Sequence, residues 1–351
     1  MIIPFGDQDG TYAKYIQPNW PEVTEWQLAM INFGYGVRSG LAAEDQAYVG
    51  ADWTRKNILS RGPLGSSYRV WGDGKQMAKG DRTDYFGLSG LTADQLRDKG
   101  YMVWTAPQEK DSFISEGDTP TFLNLLDNGL RAYENGYWGG WGGIRRPANA
   151  PASGRGGAPV TPASPDDRGI APGLAPAGST ANAPQPVESV AGGEGRNPGR
   201  GRGGALPGGR GGETISPQTA AVNARFFAAA QNDFAARLKW SVTPKFSDAN
   251  HAPKVTVKGP LEVSARPGGT VRLNAEVSDP DGNIVTSTWW QYNAASTYPG
   301  DITLSGADRL SASFRVPDDA QSGQTIHVII EATDNGAPPL TRYQRAIVRV
   351  R

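Results

Sequence analysis

From Pro147 to Arg225 the chain contains no aromatic residue. The stretch is mostly Ala, Gly, Pro, Ser and Arg, with runs such as NPGRGRGGALPGGRGG. A segment of this kind buries too little apolar surface to offset its chain entropy, so it is expected to be disordered. Everything that can fold is therefore divided into two blocks. The arginines of the stretch (Arg155, Arg168, Arg196, Arg200, Arg202, Arg210) invite comparison with Arg-Gly segments that touch nucleic acid without sequence preference. The aromatic residues interleaved in such segments are missing, which favours a solvated spacer over 147–218.

Composition narrows the function classes. The 351 residues suffice for two ordinary domains. Thirty-five basic and thirty-five acidic residues give a formal net charge of zero, so no global field favours nucleic acid or an anionic membrane surface. The absence of cysteine excludes disulfides, thiolate nucleophiles and Cys-based metal sites, and two histidines exclude a His-rich one. No stretch approaches the roughly 18 apolar residues of a membrane span. Forty-six glycines, 27 prolines and ten tryptophans suit a loop-rich extracellular type of protein.

The first block, 1–146, mixes short strands and helices, which favours an α/β class. Helices are expected at Thr24–Phe33, at Asp52–Ser60 with Asp52 as N-cap, and at Thr92–Lys99, where Thr92 and Gln95 form a capping-box pattern. A fourth, from about Thr119 to Leu130, follows Asp118, with Pro120 near its first turn and Gly129 near its end. Apolar runs at Met1–Phe5 and Tyr101–Trp104 read as buried strands.

Beyond the spacer, Ala220–Trp240 has an amphipathic period. Phe226, Phe227, Ala230, Phe234 and Leu238 lie on one face and Asn232, Asp233, Arg237 and Lys239 on the other. Such a helix should pack back onto the first block, assigning 219–249 to the same domain as 1–146. From 250 to 351 the pattern is β. Val255–Val257, Thr270–Val277, Ile284–Tyr292, Ser311–Val316, Thr325–Ala332 and Gln344–Val350 are separated by turn signals such as Asp279-Pro280-Asp281-Gly282. This spacing predicts an immunoglobulin-like sandwich with Trp289 or Trp290 as its core indole.

Several motifs offer chemistry. Asp7 and Asp9 follow the first apolar run, where carboxylates hold a hard cation or sugar hydroxyls, or merely form an acidic turn. Glu116 and Asp118 offer a metal ligand and an acid or base, or Asp118 simply caps a helix. In Tyr137-Trp138-Gly139-Gly140-Trp141-Gly142-Gly143 the indoles either form a platform for sugar rings or plug the core beside a turn. Asp279, Asp281 and Asp334 lie in turns that could share a calcium ion, although turn chemistry alone accounts for them. His251 falls in a linker and His327 in a strand; neither has a Ser or Asp neighbour at triad-like spacing.

The blocks GDQDGTYAKYIQPNWPE, RGPLGSSY, SEGDTPTFLNLLDNGL, YWGGWGG, AAAQNDFAARLKWSVT, DANHAPKV, SDPDGNIVTSTWWQY and IHVIIEATDNGAPPLTRY occur in this order. As a set they resemble the bacterial cellulose-binding proteins that pair a nucleoside-hydrolase-like domain with an immunoglobulin-like C-terminal domain. The resemblance is to the C-terminal portion of that family. It implies an extracellular or periplasmic protein that binds cellulose or a related plant polysaccharide. An N-terminal half-domain or a second copy is the implied protein partner; nucleic acid and membrane are not partners.

The alternative it implies is hydrolysis of glycosidic or N-glycosidic bonds by calcium-held water. The aspartate cluster of nucleoside hydrolases is missing, however, and Gly117-Asp118 stands where they have a His-Asp pair. The hydrolase reading therefore makes this chain alone inactive. On the resemblance, Asp118 keeps a metal role beside Glu116, with Asp9 as a second calcium ligand and Asp7 and Asp9 lining the same pocket. Trp138 and Trp141 would carry sugar stacking.

Overall fold

The computed structural model describes residues 12–22, 37–74, 83–84, 91–103, 109–114, 122–144 and 224–351. The expected spacer over 147–218, the expected helix at Thr24–Phe33 and the expected strand at Met1–Phe5 lie outside the described residues.

The first block is built from short elements. Helix α1 (Ala51–Thr54) runs directly into a wider turn at Arg55–Leu59, and α2 (Gly62–Ser66) carries Pro63 in its first turn. Asp52 does not cap α1. Gly50 flanks the helix, and Asp52 sits in its first turn, 3.7 Å from Arg55. Helix α3 (Ala93–Asp98) has the reciprocal capping box its sequence announces. Thr92 Oγ1 accepts from Gln95 N at 3.1 Å, and Thr92 N donates to Gln95 Oε1 at 2.8 Å. Strand β1 (Thr83–Asp84) pairs in parallel with β2 (Met102–Val103). The helix expected to reach Leu130 stops early. Among its described residues Phe122 and Leu123 are helical, and 124–130 form turns and bends with Gly129 at φ +88°.

Helix α4 (Phe227–Trp240) follows a turn at 225–226 instead of running unbroken from Ala220 as expected, and it is more deeply embedded than its pattern suggests. Half of its supposed solvent face is buried, with Asn232 at 6 % exposure and Asp233 at 2 %, while Arg237 stays exposed. Both polar groups are tolerated because they are paired. Asn232 donates to Tyr48 Oη at 2.9 Å, while Asp233 accepts from Arg237 at 2.6 Å and Arg342 at 2.8 Å.

Residues 254–350 form two sheets. In the first, the order is β3 (Lys254–Val257), β5 (Thr270–Ser278), β7 (Ser311–Arg315), all antiparallel. The second has the order β4 (Glu262–Ala265), β9 (Thr341–Val350), β8 (Thr325–Asp334), β6 (Val285–Gln291), with β4 parallel to β9. Val271, Leu273 and Phe314 of the first sheet share one buried cluster with Trp289, Ile326, Val328, Ile330, Ala346 and Val348 of the second. The two sheets thus pack face to face around a common core.

The four-stranded sheet is covered on its other face as well. Alternate residues (Trp290, Ile329, Tyr343) and the following Tyr292 join a second cluster with Val70, Ile114, Leu130 and Trp141 of the first block and Phe226, Phe227 and Ala230 around α4. This double burial explains why β8 reads as a near-continuous apolar run, Ile326-His327-Val328-Ile329-Ile330, instead of alternating. Trp289 fills the sandwich core, its indole N–H bonded to the Arg309 carbonyl at 3.0 Å. Trp290 points the opposite way, beneath the Arg225 guanidinium at 3.8 Å.

Candidate functional site

Asp7, Asp9, Glu116 and Asp118 lie outside the described residues. The glycine–tryptophan segment is described, and it is held from two sides. Asn124 Nδ2 donates to the Gly143 carbonyl at 3.0 Å, and Asn124 Oδ1 accepts from Gly142 N at 2.8 Å. From the sandwich, the fully buried Arg345 on β9 donates to the carbonyls of Trp138 and Gly139 at 2.8 and 2.9 Å. Burial holds the Arg345 pKa down to about 10 from the usual arginine range.

For Trp141 this anchoring replaces the expected platform role with a core role. Trp141 is 5 % exposed and belongs to the core between the blocks, with no face for a ligand. Trp138 is half-buried: its ring meets His327 edge-on at 5.5 Å, with the guanidinium of Arg131 5.0 Å from its centroid. Tyr137 in the segment and the neighbouring Tyr133 are more exposed than either indole. The glycines serve close packing of the backbone. Gly139 has φ +62°, and a Cβ there would come within 2.6 Å of Ile144 Cβ.

A cavity of about 500 Å³ opens at the end of the sandwich nearest the exit of α4. Three separated stretches supply its walls: Lys239 and 246–250, the β5–β6 turn, and Gly336-Ala337 after β8. The linker after α4 folds into a stack of rings. His251 lies parallel to Trp240 (5.2 Å between centroids, 10°) and to Phe246 (3.6 Å, 1°). Asp281 clamps His251 twice, accepting from its backbone N at 2.6 Å and facing Nδ1 at 3.2 Å. Behind the stack, Trp240 Nε1 donates to the Asn250 carbonyl at 2.8 Å. The Asn250 amide joins Asn283 at 2.7 Å to Asp334 at 2.9 Å.

Sequence reasoning placed His251 in a linker and Asp279–Gly282 in a turn without joining them. The signal available was the spacing of Trp240, Phe246 and His251 along one short linker. Among the described residues, no group of three His, Asp or Glu side chains is placed to hold a metal ion. Nor is any helix long and apolar enough to cross a membrane.

Comparison with known proteins bears on both blocks. Residues 1–144 match the family described as cellulose-binding Sde182, nucleoside hydrolase-like domain. Residues 270–350 match the C-terminal domain of cellulose-binding protein Sde0182. No curated protein matched. Among solved structures, a nucleoside hydrolase-related hypothetical protein from Saccharophagus degradans, described as associated with carbohydrate metabolism, aligns at 20 % identity and TM-score 0.53. The alignment covers 97 % of this chain but 60 % of that one, so this chain spans under two thirds of its length. Mouse cadherin-23 EC22-24 aligns at 20 % identity and TM-score 0.22 over 29 % of this chain and 33 % of its own. The two blocks, one on each side of the interrupting stretch, thus resemble the two domains of cellulose-binding Sde182 proteins.

Proposed function

We propose that this chain binds cellulose or a related plant polysaccharide in an extracellular or periplasmic setting, with the two-sheet unit acting as an immunoglobulin-like module fused to a nucleoside-hydrolase-like domain. One observation carries the reading. The two family matches, one on each side of the aromatic-free stretch, are both to cellulose-binding proteins. The neutral net charge agrees, because a polysaccharide without ionised groups is held by ring stacking and hydrogen bonds and needs no complementary field.

The test is retention of the full chain on insoluble cellulose, beside xylan and chitin, with and without calcium. Retention on at least one polysaccharide in the absence of calcium is expected. Loss of all retention, or retention strictly dependent on calcium, overturns simple polysaccharide binding.

A further inference from the structure

We infer that the cavity beside the Trp240–His251–Phe246 stack is a sugar subsite, in which one or two pyranose units of a neutral polysaccharide lie against the outer face of Phe246. The inference rests on the polysaccharide-binding reading and gives it a location.

The geometry carries it in three steps. First, a surface ring is an effective platform only when it is fixed beforehand, since ordering a free side chain on binding costs affinity. Phe246 is 59 % exposed and lines the cavity, yet its inner face is seated on the His251 ring at 3.6 Å. His251 is in turn fixed by Asp281 on one side and by the Trp240 indole on the other. An exposed phenyl ring with no partner of its own would gain little from such bracing, and a platform gains directly.

Second, the remaining walls have the chemistry of a polyol site. Lys239 supplies donors only, Asp248 acceptors only, and Asn283 both, so a sugar hydroxyl finds either partner within one cavity. Both charge signs are present, which disfavours a strongly anionic or cationic ligand and suits a neutral one. Third, the site is an open surface depression of about 500 Å³, a shape across which a polysaccharide chain can pass.

The test titrates the full chain with cellohexaose by calorimetry and measures retention on insoluble cellulose, for wild type, Phe246→Leu and Phe246→Trp. Leucine keeps apolar volume and removes the ring, while tryptophan enlarges the platform. The exposed position keeps both variants folded, which a thermal melt verifies. Expected is roughly tenfold weaker cellohexaose binding for Phe246→Leu, and binding equal to or tighter than wild type for Phe246→Trp. Wild-type binding that is the same in Phe246→Leu overturns the subsite and leaves polysaccharide binding standing. No cellohexaose heat together with no retention of wild type on cellulose, xylan or chitin overturns both. Should Phe246→Leu prove unstable, a Phe246→Trp variant that folds but binds at least tenfold more weakly also overturns the subsite.

Discussion

Replacing Gly129 with alanine tests the junction between the two blocks. β4 pairs with β9 only along Ile347–Val350, so the earlier half of β9 needs another partner on that side. The segment 128–129 provides it. Tyr343 N donates to the Asn128 carbonyl at 2.9 Å and Arg345 N to the Gly129 carbonyl at 3.1 Å. Gly129 makes this approach possible with φ +88°, where an added Cβ would lie 2.5 Å from the Tyr343 carbonyl carbon and overlap its oxygen. The backbone conformation alone costs an alanine about 1–2 kcal/mol. Moving the segment off β9 stretches two backbone hydrogen bonds worth about 0.5–1.5 kcal/mol each.

Gly129→Ala should therefore destabilise the full chain by about 2–5 kcal/mol, a large part of a typical stability of roughly 5–15 kcal/mol. Gly282→Ala is the control, because φ is +75° there but nothing lies within 4 Å of the added Cβ. It should lose about 1 kcal/mol. The assay is urea unfolding followed by tryptophan fluorescence, comparing midpoints at unchanged slope. If Gly129→Ala costs no more than Gly282→Ala, the first block is not bonded to β9 and the shared core is wrong.

Trp141→Ala should act on stability and not selectively on ligand. Emptying a 5 %-exposed indole site costs about 3–5 kcal/mol, and a thermal melt within a degree or two of wild type would place Trp141 at the surface. Tyr343, 3 % exposed, has its phenol pushed above the ordinary tyrosine range, chiefly by burial. Above about pH 10 the unfolded chain releases that proton while the folded chain keeps it, so stability falls as pH rises from there. Tyr343→Phe should flatten the fall in Tm between pH 9 and 11 relative to wild type; identical slopes would show that this phenol ionises freely in the folded chain.

The sandwich strands were legible because alternation reports burial directly, and β5, with every second residue buried, is the clearest instance. β4 went unrecognised because Glu262-Val263-Ser264-Ala265 lies at the sheet edge with no residue fully buried, so little patterning is imposed on it. The reach of the fourth helix was misjudged at Gly129, where glycine marks a backbone contact with β9 and not a helix end. Trp141 illustrates a different limit. Flanking glycines announce close approach of something, but composition does not distinguish a sugar from a neighbouring strand. The cavity was harder still, since its walls come from stretches near 246, 281 and 336 whose turn residues each have a sufficient local explanation.

The two-faced sheet also determines how the binding site must be studied. Cut away from the first block, the sandwich would present Trp290, Tyr292, Ile329 and Tyr343 to water as one apolar face. Arg345 would lose the Trp138 and Gly139 carbonyls that make its burial tolerable. The ring stack spans the same boundary. Trp240 ends α4, whose opposite end is packed in the shared core, whereas Asp281 and Asp334 belong to the sandwich. The Trp240–Asn250 hydrogen bond and the Asp281 clamp on His251 therefore join a helix anchored in one block to turns anchored in the other. A platform fixed this way is rigid only while both blocks are present, so the sugar subsite is a property of the whole chain and of neither part alone.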